Sequence, residues 1–189
     1  AALQAAVLAE VPGAAVKSAP MLRGRLVRLK GRKVEELKPP ADAQWIFNGD
    51  RGLSYTDVVP EGSQVVAGHW WDSGYAGAPL VSFDAELAGK LGLGVGDSVT
   101  VNVLGRNIEA TIANLREIKW ETIAINFVMV FSPNTLSAAP HNALATIRLP
   151  EGTARPREAA LVRHLAQIFP AVSAIRVRDA LDQFNAIFA

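Results

Sequence analysis

The chain has 189 residues, half of them apolar and a fifth charged. Its 19 lysines and arginines are nearly balanced by 18 aspartates and glutamates, so nothing points to a polyanionic partner such as nucleic acid. The absence of cysteine excludes disulfides and thiol catalysis, and no apolar run approaches the roughly 20 residues that cross a bilayer. A globular piece of one domain or two small lobes is expected.

The N-terminal part predicts a helix followed by a hairpin. Apolar residues recur at helical spacing over 3–11, where Pro-Gly ends the pattern. Residues 16–29 read as extended chain with a break near its middle glycine, and regular alternation would place Leu26 on the face opposite Leu29. A glycine turn then leads into a second strand over 33–37.

A group of basic residues accompanies this hairpin. Period-two alternation places such charges on a solvated face. On a membrane-proximal surface the same charges would meet anionic lipid headgroups, so both interpretations are kept, with the solvated face as the simpler one. The group consists of Arg23, Arg25, Arg28, Lys30, Arg32 and Lys33.

A glycine-punctuated loop over 69–79 is rich in aromatic residues, and it follows predicted strands at 44–47 and 64–67. Large apolar side chains in such a loop either pack beneath it or contact a partner. Two adjacent tryptophans cannot easily face one way on extended chain, so we expect at least one of them to be partly exposed. The candidate contacts with a substrate or partner are Trp70, Trp71, Tyr75 and Trp120.

Residues 80–118 predict a compact unit of strand, helix, tight turn and hairpin. Ser82 is expected to cap the helix, and three glycines over 92–96 end it. Alternation over 98–103 and 108–113 then predicts a β-hairpin. This unit contains no obvious reactive group.

The C-terminal part alternates strands and helices, which indicates a mixed α/β layer arrangement. The predicted elements are a strand over 123–131, one helical turn over 134–137, a strand over 143–149, a helix over 156–169, a strand over 172–177 and a final helix capped by Asp179 with an apolar stripe of Leu181, Phe184, Ile187 and Phe188.

Catalysis and metal binding are disfavoured. A serine hydrolase would use Ser82, between a strand and a helix, with His69, His141 and Asp72 as nominal partners. The flanking Val and Phe lack the glycines of a nucleophile elbow, so no enzymatic activity is expected. The three histidines are far apart in sequence and no Walker motif is present, so we expect no metal, no cofactor and no ATPase activity in this chain.

Several stretches resemble one family of membrane proteins. The helix, the Val-Gly-Asp turn and the hairpin of residues 80–118 are similar to the extracytoplasmic core domain of FtsX/MacB-type ABC transporter permeases. The stretches 49–55, 66–71 and 125–133 resemble the second large extracytoplasmic loop of the long, duplicated permeases often described alongside a lysophospholipase. Together the stretches cover nearly the whole chain.

The resemblance implies a two-lobed, mixed α+β periplasmic core domain. Residues 1–48 plus 140–189 would form a membrane-proximal α/β lobe, and residues 49–139 an inserted, strand-rich lobe. The domain would belong to an inner-membrane protein and face the periplasm or the cell exterior. Because both ends of the chain interrupt predicted helices, we expect a loop domain excised from between transmembrane helices; a trimmed soluble domain is the alternative.

The function that the resemblance implies is non-catalytic coupling. A separate cytoplasmic ATPase would move the flanking transmembrane helices, and the domain would convert that motion into rearrangement across the membrane. A second hypothesis is a binding module that captures a lipid, lipoprotein or peptide in a groove lined by the candidate aromatics. A third is a cytosolic α/β domain with no membrane connection.

Overall fold

The computed structural model describes residues 1–120 and 124–177. The final helix predicted from Asp179 lies outside the described residues. The chain divides into two compact units, one formed by Ala1–Val16 with the described residues from Ile147 onward, and one formed by Lys17–Thr146. Helices and strands occur together, so the predicted mixed α+β class is confirmed.

The regular elements follow in chain order. The helices are α1 (Ala2–Glu10), α2 (Ala85–Leu91), α3 (Pro133–Leu136) and α4 (Arg155–Ile168), with 3₁₀ segments at Val34–Glu36 and Ala41–Phe47. The strands are β1 (Ala15–Leu29), β2 (Arg32–Lys33), β3 (Arg51–Tyr55), β4 (Ser63–Gly68), β5 (Leu80–Asp84), β6 (Ser98–Val103), β7 (Arg106–Ile118), β8 (Met129–Phe131) and β9 (Asn142–Arg148).

Six strands of the Lys17–Thr146 unit pair in a closed ring. The order is β1, β3, β8, β5, β7, β6 and back to β1. The pairs β3 with β8 and β5 with β7 are parallel, and the other four pairs are antiparallel. Three further strands extend this arrangement: β2 pairs with the end of β1, β4 pairs with the end of β7, and β9 also pairs with β1.

Apolar side chains from all six strands form one buried core, as expected of a small closed barrel whose interior side chains fill it. Helix α2 and the 3₁₀ segment Ala41–Phe47 add side chains to the same core. The strand residues of this core are Leu22, Leu26, Leu29, Leu53, Val81, Phe83, Val99, Val101, Val103, Ala110, Ile112, Met129 and Phe131.

Strand β1 runs without the predicted break and passes close to both of its neighbours at Gly24. A Cβ atom at Gly24 would lie 2.7 Å from Leu53 Cδ1 and 3.0 Å from Asn102 O, so any other residue there would force its neighbours to shift. A β-bulge between Leu26 and Arg28 then changes the alternation, so that Leu26 and Leu29 are both buried. The prediction that these two leucines occupy opposite faces is therefore wrong.

Four predicted strands differ in the structure. The strand expected over 33–37 stops at Lys33, and residues 44–47 belong to a 3₁₀ segment whose Ala43 and Ile46, three residues apart, enter the core. Residues 124–128 precede β8 outside any strand, with the Phe127 ring packed over Gly52. Residues 172–176 form no strand, and Ile175 is 79% exposed, so its side chain is not buried against any of the described residues.

Helices α1 and α4 pack together in the other unit, which confirms the helices predicted over 3–11 and 156–169. Their shared core contains Val7, Val11, Leu161 and Leu165. At the edge of this core, Arg157 Nη2 donates to the Glu10 carbonyl oxygen at 3.0 Å. None of the helices described is long and apolar enough to cross a membrane.

Candidate functional site

Trp70 and Trp71 form a stacked pair beside the end of β3. Their ring centroids are 4.2 Å apart and the rings are inclined by 32°. Trp70 Nε1 donates to the Asp57 carbonyl oxygen at 2.7 Å, and Trp71 Nε1 donates to the Thr56 carbonyl oxygen at 2.9 Å. Trp71 is buried and Trp70 is half-buried, which confirms that at least one of the two is partly exposed. The pair thus fixes the backbone that leaves β3.

The other two predicted aromatics are Tyr75, in the same loop as the tryptophan pair, and Trp120, after β7. The Tyr75 hydroxyl donates to the Ala78 carbonyl oxygen at 2.9 Å and closes its own loop over Gly77. Trp120 follows the end of β7 with 54% of its surface exposed. No ring contact joins either residue to the tryptophan pair within residues 1–120 and 124–177. Ring contacts therefore do not join the four predicted aromatics among the described residues, and their role stays a prediction.

A cleft of about 470 Å³ opens beside the backbone that the tryptophan pair fixes. None of the four predicted aromatics lines it. Its wall comes from the first part of β1, the end of β3 and the start of β9, and the residues that contribute are Ser18, Ala19, Pro20, Tyr55, Thr56, Asp57, Pro133, His141, Asn142 and Ala143.

Tyr55 and His141 meet inside this cleft. Tyr55 Oη lies 3.1 Å from His141 Nε2, and the two rings contact edge to face with centroids 5.4 Å apart. On its other side, His141 Nδ1 lies 2.8 Å from the Ala139 carbonyl oxygen. The sequence contains no signal for this contact, because the two residues are 86 positions apart.

A second polar cluster surrounds Arg116, a fully buried residue that the sequence analysis missed. Its Nε donates to Ser82 Oγ at 2.6 Å, its Nη2 donates to the Phe127 carbonyl oxygen at 2.8 Å, and its Nη1 lies 3.4 Å from Ser63 Oγ. One guanidinium thus joins β5, β4 and the segment before β8 to β7. We call Ser82, Asn114 and Arg116 the arginine network.

Ser82 does not cap α2, contrary to the prediction. Ser82 lies within β5, where its hydroxyl donates to Asn114 Oδ1 at 2.5 Å. The cap is Asp84, whose Oδ1 accepts from Leu87 N at 2.7 Å. Strand β5 continues to Asp84 because it pairs with both β7 and β8, so the cap moves two residues, to the next side chain that can accept a hydrogen bond.

Asp84 and Arg116 are cross-strand neighbours with opposite charges in a buried setting. Loss of hydration raises the pKa of Asp84 above its ordinary value. Burial lowers the pKa of Arg116 to about 10, although the Asp84 charge opposes that change. Each charge therefore carries a desolvation penalty that the other offsets only in part.

This arrangement bears on the hydrolase alternative. Ser82 is fully buried, and its hydroxyl partners are Asn114 and Arg116. Of the nominal partners, His69 and Asp72 are exposed in the loop after β4, and His141 contacts Tyr55. No group of three metal-binding side chains occurs in the part of the chain that the structure describes.

Comparison with known proteins gives one informative relative. The chain is 26% identical over 164 residues to an uncharacterized ABC transporter permease, YbbP, of Escherichia coli K12, an alignment that covers 87% of this chain. The chain is homologous to a segment of an ABC transporter permease. It spans 18% of the length of YbbP. Homology to an ABC transporter permease confirms the coarser part of the resemblance, whereas the FtsX/MacB subtype stays a prediction.

Other comparisons add little to the permease homology. No protein-family model matches the chain. A crystal structure of a domain assigned to a permease protein from Porphyromonas gingivalis superposes with a TM-score of 0.44 and 16% identity, covering 86% of this chain and 74% of that one. A likeness at this level carries no argument about function.

Proposed function

We propose that the chain is a non-catalytic extracytoplasmic domain of an FtsX/MacB-type ABC transporter permease. The observation that carries this proposal is homology to an ABC transporter permease over 87% of the chain. The domain belongs to an inner-membrane protein and faces the periplasm or the cell exterior. Its partners are the flanking transmembrane helices of the same permease and a separate cytoplasmic ATPase subunit.

In this proposal the domain transmits motion. ATP hydrolysis moves the transmembrane helices, and the domain converts that motion into handling or export of a substrate outside the cytoplasm. Such a role requires a unit that does not deform under load. The closed ring of Lys17–Thr146 and the arginine network that fastens loops to its outer side support this requirement.

The sequence-based lobes, 1–48 with 140–189 and 49–139, remain a proposal for the domain organisation of the chain. The compact units have different bounds, since Lys17–Thr146 includes the part of β1 that completes the ring. We propose that this unit moves as one body.

Cysteine accessibility tests the location. The chain contains no cysteine, so Gln64→Cys in the parent permease, with cysteines outside the segment removed, provides one exposed thiol on β4. A membrane-impermeant maleimide is expected to label it in intact cells, after permeabilisation of the outer membrane alone where one is present. Val99→Cys, buried in the core, is the matched control and should label only after denaturation. Labelling of Gln64→Cys that requires rupture of the inner membrane would place the domain in the cytoplasm and refute the proposal.

Energy transfer tests the motion. A donor dye on Gln64→Cys and acceptor-labelled lipid, in nanodiscs that hold the permease and its ATPase, should change transfer efficiency when ATP replaces ADP. A dye pair on Gln64→Cys and Arg106→Cys, both within the Lys17–Thr146 unit, is the control and should not respond. A nucleotide response confined to the control pair would contradict transmission by a rigid unit.

Capture of a lipid or lipoprotein is the second candidate function, and Trp120 is the observation that favours it. Of the predicted aromatics it is the one that presents most of its ring to solvent. Titration with lysophospholipid below its micelle concentration is expected to shift the tryptophan fluorescence to the blue. Trp120→Ala should lose most of the shift and Trp70→Ala should retain it; equal shifts in both variants would argue against a site at Trp120.

A further inference from the structure

The hydrogen bonds of the Tyr55–His141 cleft fix which groups can accept. The Ala139 carbonyl oxygen can only accept, so His141 Nδ1 carries the proton of that 2.8 Å hydrogen bond. In the neutral imidazole, Nε2 then accepts, and the Tyr55 hydroxyl donates to it at 3.1 Å. Because the Tyr55 hydroxyl donates its proton to His141, Tyr55 Oη can only accept a hydrogen bond from a ligand.

The charge of the cleft has one sign. Asp57 is the acidic residue among the ten that line it, and none of the ten is lysine or arginine. Asp57 is exposed, and no ion pair involves it among the described residues. A ligand entering the cleft therefore meets a carboxylate without a competing protein cation.

The remaining surface suits an alkyl chain with a charged end. Pro20 and Pro133 contribute apolar surface to the wall, and Tyr55 contributes its aromatic ring as well as the accepting hydroxyl. Aromatic rings attract ammonium and guanidinium groups through their faces, and the methylene stems of such groups pack on apolar surface. An anionic ligand would face Asp57 and an accepting hydroxyl, both unfavourable.

From these features we infer that the cleft binds an organic cation, an alkylammonium or alkylguanidinium group. Its N–H groups donate to the Asp57 carboxylate and to Tyr55 Oη. The tryptophan pair acts as a positioning element, because the indole N–H groups hold the Thr56 and Asp57 carbonyls at 2.9 and 2.7 Å. The cation is either a free amine or guanidine or the side chain of a lysine or arginine in a polypeptide. The inference does not depend on the transporter assignment.

A two-dimensional ¹H–¹⁵N NMR titration of the 189-residue chain tests this. Butylguanidinium and butylammonium are expected to give saturable shifts of amides 18–19, 55–57 and 141–143, and 1-butanol, the neutral analogue, should give none. A tripeptide with a central arginine, compared with the same tripeptide carrying citrulline, separates the sources. Tighter binding of the arginine peptide than of butylguanidinium assigns the site to a polypeptide side chain, and equal or weaker binding assigns it to a free cation.

Variants identify the acceptors. Asp57→Asn should weaken butylguanidinium binding about fivefold, as expected for an exposed charge pair, while Asp72→Asn in the neighbouring exposed loop should leave it unchanged. Trp70→Phe removes the N–H that holds the Asp57 carbonyl and should weaken binding with the same pattern of shifted amides. Shifts that never saturate, 1-butanol shifts equal to those of the cations, or equal affinities in Asp57→Asn and Asp72→Asn would overturn the inference.

Discussion

The two sides of β5 and β7 are stabilised by different interactions. On the inner side, Val81 and Phe83 from β5 and Ile112 from β7 pack into the apolar core. On the outer side, the same strands bury the arginine network beneath the segments around Ser63 and Phe127. Val81 pairs with Ile112, and the next residue, Ser82, pairs with Asn114, so the register shifts by one residue between them. This shift lies where the apolar inner residues give way to the polar network. Apolar packing is tolerant of exact geometry, whereas a buried cation needs each of its acceptors in place.

The largest expected effect comes from the inner side. Phe83 is fully buried, so Phe83→Ala should lower the free energy of unfolding by about 4 kcal/mol through lost burial and a cavity. Urea denaturation followed by tryptophan fluorescence measures this loss. Phe83→Leu, which keeps most of the volume, should cost about 1 kcal/mol. A loss below about 1 kcal/mol for Phe83→Ala would show that packing inside the six-strand ring contributes little to the stability of the fold.

Breaking the outer side should cost somewhat less but act locally. Arg116→Met keeps much of the volume, removes three donors and leaves Asp84 without its opposite charge, for a loss of about 3 kcal/mol. Hydrogen exchange should accelerate most over 124–131, since the Phe127 carbonyl is released. Arg106→Met, at the exposed start of β7, should change stability by less than about 0.5 kcal/mol. Uniform acceleration across the ring would contradict a local role for Arg116.

Ser82→Ala should have a smaller effect, about 1 to 2 kcal/mol, because Arg116 Nε and Asn114 Oδ1 each lose a buried partner. Ser73→Ala, in the exposed loop, is the matched control. The double variant with Arg116→Met should lose less unfolding free energy than the sum of the two single losses, since both single variants remove the same hydrogen bond. Strict additivity would mean that the Ser82 hydroxyl acts independently of Arg116.

The smallest effect concerns pH. Because the folded-state pKa of Asp84 is raised, the folded state holds this proton more tightly than the unfolded state, so stability falls as pH rises from the unfolded pKa near 3.8 through the folded value. Asp84→Asn keeps a capping acceptor and does not titrate. The stability of the wild type relative to Asp84→Asn should decrease from pH 3.5 to pH 7 in urea denaturation series. An increase over that range would show that the Arg116 charge dominates.

Elements set by local patterns were predictable. The helix at Arg155–Ile168, the turn at Gly96 with a φ of 92° and the strand Ser98–Val103 follow from periodicity and glycine chemistry. The mixed fold class follows from the same patterns. Element ends were less predictable, as shown by the cap at Asp84, because pairing with two neighbouring strands decides where β5 stops.

Features set by contacts remote in sequence were not predictable. Ring closure depends on the pairing of Leu22–Gly24 with β3 and of Gly24–Leu29 with β6, which no local pattern encodes. Arg116 lies in an alternating strand where a charged residue indicates a solvated face, and only the covering segments make it buried. The cleft brings Tyr55 next to His141 in the same way. One bulge was enough to invalidate the predicted faces of Leu26 and Leu29.

The closed ring has a consequence for synthesis of the chain. β1 ends at Leu29, and β8, which joins β3 to β5, begins at Met129, about a hundred residues later. Until β8 has emerged, the nascent strands present unpaired edges, and such edges favour pairing with other chains. We therefore expect nascent chains that end between residues 30 and 128 to depend on chaperones, and the ring to close only once β8 has emerged.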